Sequence, residues 1–174
     1  LLAQILLLVV LTLINAFLAA SEIAVVSINK NRIEQKAEDG DKKAKKILKI
    51  LENPTNFLST IQVGITLVNI LSGASLADSL ATRLAPYIGT STAARSMATF
   101  IVLAILTYVS IVFGELYPKR IAMNNSEEVA MFTSGVIRVL EVITKPFVWL
   151  LSASTNLLSR ITPMTFDDED SKMT

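Results

Sequence analysis

Phe113-Gly114-Glu115-Leu116-Tyr117-Pro118-Lys119-Arg120 closes a run from Ser96 to Gly114 that holds no charged side chain. The run is apolar enough for a bilayer, and a carboxylate, Glu115, follows it directly. An ionisable group at the end of such a segment is costly to keep and so marks a functional site by default. Pro118 adds to this: it has no N–H for the carbonyl four residues back, and its ring crowds that carbonyl. The carbonyl belongs to Gly114, which carries no side chain to screen it. The stretch therefore sets a freed backbone oxygen beside a carboxylate, and oxygen ligands of this kind suit a hard cation. The plainer alternative is that Pro118 ends a membrane helix and Glu115 reaches the headgroups near Lys119 and Arg120.

Composition agrees with a membrane setting. Of 174 residues, 52% are hydrophobic and 18% charged, whereas soluble domains carry about 25% charged residues. The mean hydropathy is +0.54, and the length fits one domain. The chain has neither Cys nor His, which removes disulfides, thiolate and imidazole metal sites, and Ser-His or Cys-His catalysis. Glu22 and Glu115 are the only carboxylates within the spans or at their ends, so no nucleophile and base meet and the reading is not an enzyme. Oxygen ligands, helix ends and charge remain.

Working outward, Leu1 to Val26 carries a single charge, Glu22. At about 1.5 Å per residue it can cross about 30 Å of hydrocarbon, which predicts a first span over about 1–28. The apolar run is too long for the core of a signal peptide. Asn15 and Glu22 share a helix face, with Ser21 on its flank, and that face should point into the protein. Asn29 to Asn53 then carries eight Lys or Arg residues and five acids, with Gly40 between two helical patterns. Ile33 and Ala37, then Ile47, Leu48 and Leu51, give each half an apolar side, which predicts a cytosolic helical hairpin. Basic residues beside a span are what the positive-inside rule expects, so the cluster is not read as a nucleic-acid site.

Pro54 to Ala77 is uncharged and predicts a second span over 54–77. Ser59, Gln62, Thr66, Asn69 and Gly73 fall at spacings of three and four, with Ser72 at the edge of the stripe. Asn69 is the member that would cost most against lipid. Asp78 to Arg95 reads as a short connector with two basic residues, Arg83 and Arg95. Eight basic residues on one side against two on the other orients the chain, with the N-terminus outside and the C-terminus cytoplasmic. A third span over about 96–117 returns to the cytoplasmic side. From Ser126, where Glu127 and Glu128 suit a helix N-terminus, two amphipathic juxtamembrane helices divided at Pro146 are expected within 126–161. A kinked fourth span is the alternative. Residues 163–174, with Asp167-Asp168-Glu169-Asp170, read as an acidic linker. The fold class is thus an all-α membrane protein: a domain over 1–162 with three transmembrane helices, a cytosolic hairpin and juxtamembrane helices.

Three pieces stand together: Asn15-Ala16-Phe17 with Ala20-Ser21-Glu22-Ile23-Ala24, then Gln62-Val63-Gly64-Ile65-Thr66 with Asn69, then Phe113-Gly114-Glu115-Leu116-Tyr117-Pro118-Lys119. Together they resemble the membrane module of the CorC/CNNM family of magnesium transporters, over essentially the whole chain. The resemblance implies a homodimer in the inner (plasma) membrane, Mg2+ as the transported ion in an inward-facing pocket, efflux coupled to Na+, and a cytosolic CBS-pair domain beyond the module. It carries the ion ligands onto the Ser21 hydroxyl, the Asn69 side-chain oxygen, the Gly114 carbonyl and the Glu115 carboxylate, with Ser72 as a weaker candidate. Several neutral oxygens and one carboxylate can replace hydration without trapping the ion. The lack of soft ligands argues against zinc and copper; residue type leaves calcium and manganese open. The alternative function is a non-transporting Mg2+ sensor or anchor that sets the state of the cytosolic domain.

Overall fold

The computed structural model describes residues 1–162, so the acidic linker expected over 163–174 lies outside the described residues. The described chain is helical throughout its regular structure. In order come α1 (Leu2–Ser27), α2 (Lys30–Glu38), α3 (Lys42–Glu52), α4 (Pro54–Ile88), α5 (Thr92–Ile111), a π turn (Val112–Leu116), α6 (Tyr117–Asn124) and α7 (Ser126–Ile161). Three stretches are long and apolar enough to cross a membrane: Leu2–Ser27, Pro54–Ile88 and Thr92–Asn124.

Local chemistry sets the breaks between these helices. Asn29 accepts from the Arg32 N–H at 3.3 Å to open α2. Asp41 accepts from the N–H groups of Lys43 and Ala44 at 2.9 and 3.2 Å to open α3. Between them Gly40 sits at φ +98, a conformation open to glycine and costly for residues with a Cβ. The hairpin this makes is part of the core and not an appendage. Its Ile33, Ile47 and Ile50 pack in one buried cluster with Val25 of α1, Phe57 and Ile61 of α4, Ala122 of α6 and Ile137 of α7. Glu127, in the first turn of α7, adds ion pairs to Lys36 and, at 2.9 Å, to Arg32. A second cluster closes the other end of the spans, where Leu76 and Ala81 of α4 meet Ala98, Val102 and Leu106 of α5.

Two expectations are corrected. The connector expected over Asp78–Arg95 is mostly helix: α4 runs on to Ile88, and only Gly89–Ser91 separates it from α5. Leu80, Ala81, Leu84 and Ala85 pack toward α5, Asp78 pairs with Arg95 across the hairpin at 3.3 Å, and Ser91 caps α5 through the Ala94 N–H at 3.1 Å. Pro86 falls in the last turn of α4, so the extension survives it. The second correction concerns the expected pair of juxtamembrane helices, which form one helix of 36 residues running through Pro146. Part of its polar surface is turned back on itself. The hydroxyls of Thr144, Ser154, Thr155 and Ser159 each donate to the carbonyl four residues earlier. Such back-bonding lets a helix tolerate hydroxyls beside lipid.

The buried cluster under the hairpin should dominate stability. Phe57 is fully buried within it, whereas Phe100 on α5 is 73% exposed. Phe57→Ala is expected to cost about 3–5 kcal/mol of stability, read as a lowered midpoint of unfolding in detergent. Phe100→Ala should change it by no more than about 0.5 kcal/mol. Equal effects of the two would show that the hairpin does not hold the spans together.

Candidate functional site in the membrane-spanning helices

Pro118 determines the shape of the third span. Without its N–H the helix cannot keep regular bonding here, and the Tyr117 N–H reaches back to the Val112 carbonyl, five residues earlier. That widened turn is a π segment, a form found mostly as single turns at functional positions. The helix does not stop there. It continues as α6 with Pro118 in its first turn, where a missing N–H costs little.

The Gly114 carbonyl that the proline releases is not left empty. The Asn15 side-chain amide of α1 donates to it at 3.2 Å, a contact buried between two spans 99 residues apart in the chain. Glycine is needed for the approach, because a Cβ at Gly114 would lie 2.9 Å from Asn15 Nδ2. Asn15 is 1% exposed, and its other amide atom, Oδ1, is buried with no hydrogen-bond partner among the described residues. Turning the amide over would set two oxygens against each other, so the donor must face Gly114. One turn and a half further along α1, Ser21 is fully buried and donates to the Phe17 carbonyl at 2.7 Å.

Of the candidate ligands, Ser21 and Gly114 are buried, Ser72 is 8% exposed, and Glu115 is half-buried. Asn69 is exposed, along with Gln62 and Thr66 of the same stripe. The π turn packs on α1, α5 and α6, while α4 packs chiefly against α5, α1 and α7. The structure thus draws Gly114 to α1 and leaves the polar stripe of α4 largely on another side. Within that stripe, Gln62 Nε2 donates to Thr66 Oγ1 at 3.2 Å. Glu22 pairs with Lys119 at 3.4 Å, which joins α1 to α6 just beyond the turn. Glu115 has no ion pair among the described residues.

Asn15 is the residue that sequence reasoning passed over as a site member. Its place on the inward face with Glu22 was the available signal; the missing step was that a proline-freed carbonyl inside a bilayer needs a donor from a neighbouring helix. Gly114→Ala is expected to force Asn15 away and to lower stability by about 1–3 kcal/mol, the range for an orphaned buried polar group. An unchanged unfolding midpoint in detergent would show that the close approach is dispensable.

Comparison with known proteins bears on the same regions. Residues 6–174 match the family model for the cyclin M (CNNM) transmembrane N-terminal domain. A UPF0053 protein of Synechocystis is 39% identical over 160 residues, covering 90% of this chain and 36% of the relative. The UPF0053 inner membrane protein YfjD of Escherichia coli is 34% identical over 85% of this chain and 32% of its own length. A polyamine export protein of Haemophilus influenzae is 29% identical over 95% of this chain and 39% of its own. The chain therefore spans roughly a third of the length of these relatives. Three membrane-crossing stretches and a match to the transmembrane domain over nearly all its residues place this chain in the CNNM family.

Proposed function

We propose that this module carries Mg2+ out of the cell, driven by Na+, as one half of a homodimer. The carrying observation is the polar junction at the π turn: among the described residues Asn15 Oδ1 is buried without a partner, the Asn15 amide meets the Gly114 carbonyl, and half-buried Glu115 next to it in the chain has no ion pair. A carbonyl oxygen has two lone pairs, and Asn15 occupies one. In this reading Ser21, Asn69, Ser72, Gly114 and Glu115 supply the ion's ligands. Asn69 joins them through movement of α4, and the exposed Gln62 and Thr66 pack on the second subunit. Mg2+ sheds water reluctantly and usually keeps part of its shell, so a mostly neutral set of oxygens lets it enter and leave.

Charge around the junction favours a compact ion over a polyamine, the substrate class in the name of the Haemophilus relative. A polyamine presents several ammonium groups along a chain. Of the two carboxylates near the turn, Glu22 is already paired with Lys119, and one unpaired carboxylate matches one small cation better. The lysine-rich hairpin on the cytoplasmic side, and a CBS-pair domain following the module, complete the arrangement.

The test is calorimetry of Mg2+ binding in detergent, followed by flux into liposomes under a Na+ gradient. Glu115→Gln and Asn69→Ala, each shown to fold, should weaken Mg2+ binding by about 10- to 100-fold, the usual range for damage to a metal site. Unchanged binding in both would remove the ion from this junction. Binding without flux under any gradient would identify a sensor or anchor instead, and flux of spermidine in place of Mg2+ would reassign the substrate.

A further inference from the structure

A cavity of about 420 Å³ lies between the first two turns of α4 and the middle of α7, well apart from the π turn. Asn56 and Thr60 line it from α4, and Glu141, Lys145, Trp149 and Ser152 from α7. Glu141 and Lys145 are four residues apart on one helix, with the acid first, the spacing and order at which such residues ordinarily pair. Here they do not. Neither takes part in any ion pair among the described residues, and both charges instead stand on the wall of the same cavity. Burial pushes the Glu141 carboxyl above its ordinary range, with Arg138 acting in the opposite direction. Arg138, on the same helix, offsets only part of that desolvation cost, and a cationic group in the cavity would offset more of it.

The level of the cavity in the membrane narrows the choice of occupant. α4 is a span, and its first turns adjoin the charged hairpin, so the cavity sits at the boundary between hydrocarbon and water. Trp149 is 70% exposed at its edge, and tryptophan concentrates at this depth. Val142, in the cavity lining, is exposed as well, so an apolar edge for acyl chains adjoins a pocket whose α7 wall carries one negative and one positive charge.

We infer that this cavity binds the headgroup of a zwitterionic phospholipid with a primary ammonium, such as phosphatidylethanolamine. The ammonium lies against Glu141 and the phosphate against Lys145, with the acyl chains running past Val142 and Trp149. A primary ammonium donates three hydrogen bonds where a quaternary one donates none, so Glu141 distinguishes the ethanolamine from the choline lipid. An anionic lipid would satisfy Lys145 and leave Glu141 facing like charge.

The protein purified in detergent can be titrated with phosphatidylethanolamine, phosphatidylcholine and phosphatidylglycerol, and bound lipid counted by native mass spectrometry. Wild-type protein should favour the ethanolamine lipid over the other two by about tenfold, the size of one charge-assisted hydrogen bond. Glu141→Gln should erase the preference over choline, and Lys145→Gln should weaken all three lipids. Lys145 is exposed, so its variant keeps the test valid should the half-buried Glu141 prove necessary for folding. Equal binding of phosphatidylglycerol and phosphatidylethanolamine, insensitive to Glu141→Gln, would reveal a plain anionic-lipid site and overturn the inference. Unchanged ethanolamine-lipid binding in both folded variants would do so as well.

Discussion

The hydrogen bond from the Asn15 amide to the Gly114 carbonyl is the contact on which the geometry of the spans turns. In hydrocarbon no water stands ready to satisfy a carbonyl that has lost its helical donor, and each unsatisfied group costs several kcal/mol. Pro118 removes that donor at one residue's remove from a carboxylate. The chain meets the loss in two ways at once: the backbone widens into a π turn, and α1 brings a donor across. The second remedy demands close approach, which explains why the residue at 114 has no Cβ. The junction thereby fixes the depth of α1 against the third span, and Glu22 with Lys119 repeats the link just beyond it.

The soluble part of the chain serves the same geometry from below. The hairpin could have been a charged loop that merely orients the protein; instead its three isoleucines enter the core beneath α1, α4 and α7. Water is available on this side, so burial of apolar surface supplies a driving force that lipid cannot provide between spans. The spans are consequently held at two levels by different physics. Apolar burial and the Glu127 ion pairs act at the hairpin end, and a buried polar contact with small-residue packing acts within the bilayer. Gly64, where a Cβ would meet Leu18 Cδ1 at 2.8 Å, shows how close α1 and α4 come.

Much of this was legible in the sequence, and the failures share a cause. The three spans, the hairpin and the disturbance at Pro118 follow from local signals: long runs with at most one charge, Gly40 between two helical patterns, a missing N–H. The connector after Ala77 was misread because Asp78, Arg83 and Pro86 look like loop chemistry in isolation. Packing on α5 and the Asp78–Arg95 pair make them helical. Pro146 misled for the same reason, since a break in local bonding need not break a helix that a neighbour supports. At the site, sequence identified the freed carbonyl but not its acceptance of the Asn15 amide, a contact across 99 residues. Periodicity likewise grouped the polar stripe of α4 without showing that Asn69 is exposed.

In the proposed reading, the distribution of charge suits the junction to a transient ligand. A cation site in low dielectric becomes a trap when several carboxylates converge on it, because their attraction grows as water is excluded. Here one of the two acids near the turn is neutralised by Lys119 and the rest of the buried polar atoms are amide, carbonyl and hydroxyl. Each of those neutral groups already has, or in the case of Asn15 Oδ1 lacks, a single internal partner. Exchanging such partners costs far less than separating ion pairs, as the proposed transport cycle requires. Asn15 Oδ1, buried with no partner among the described residues, carries a cost of about 1–3 kcal/mol, which the close packing of α1 on the π turn has to offset.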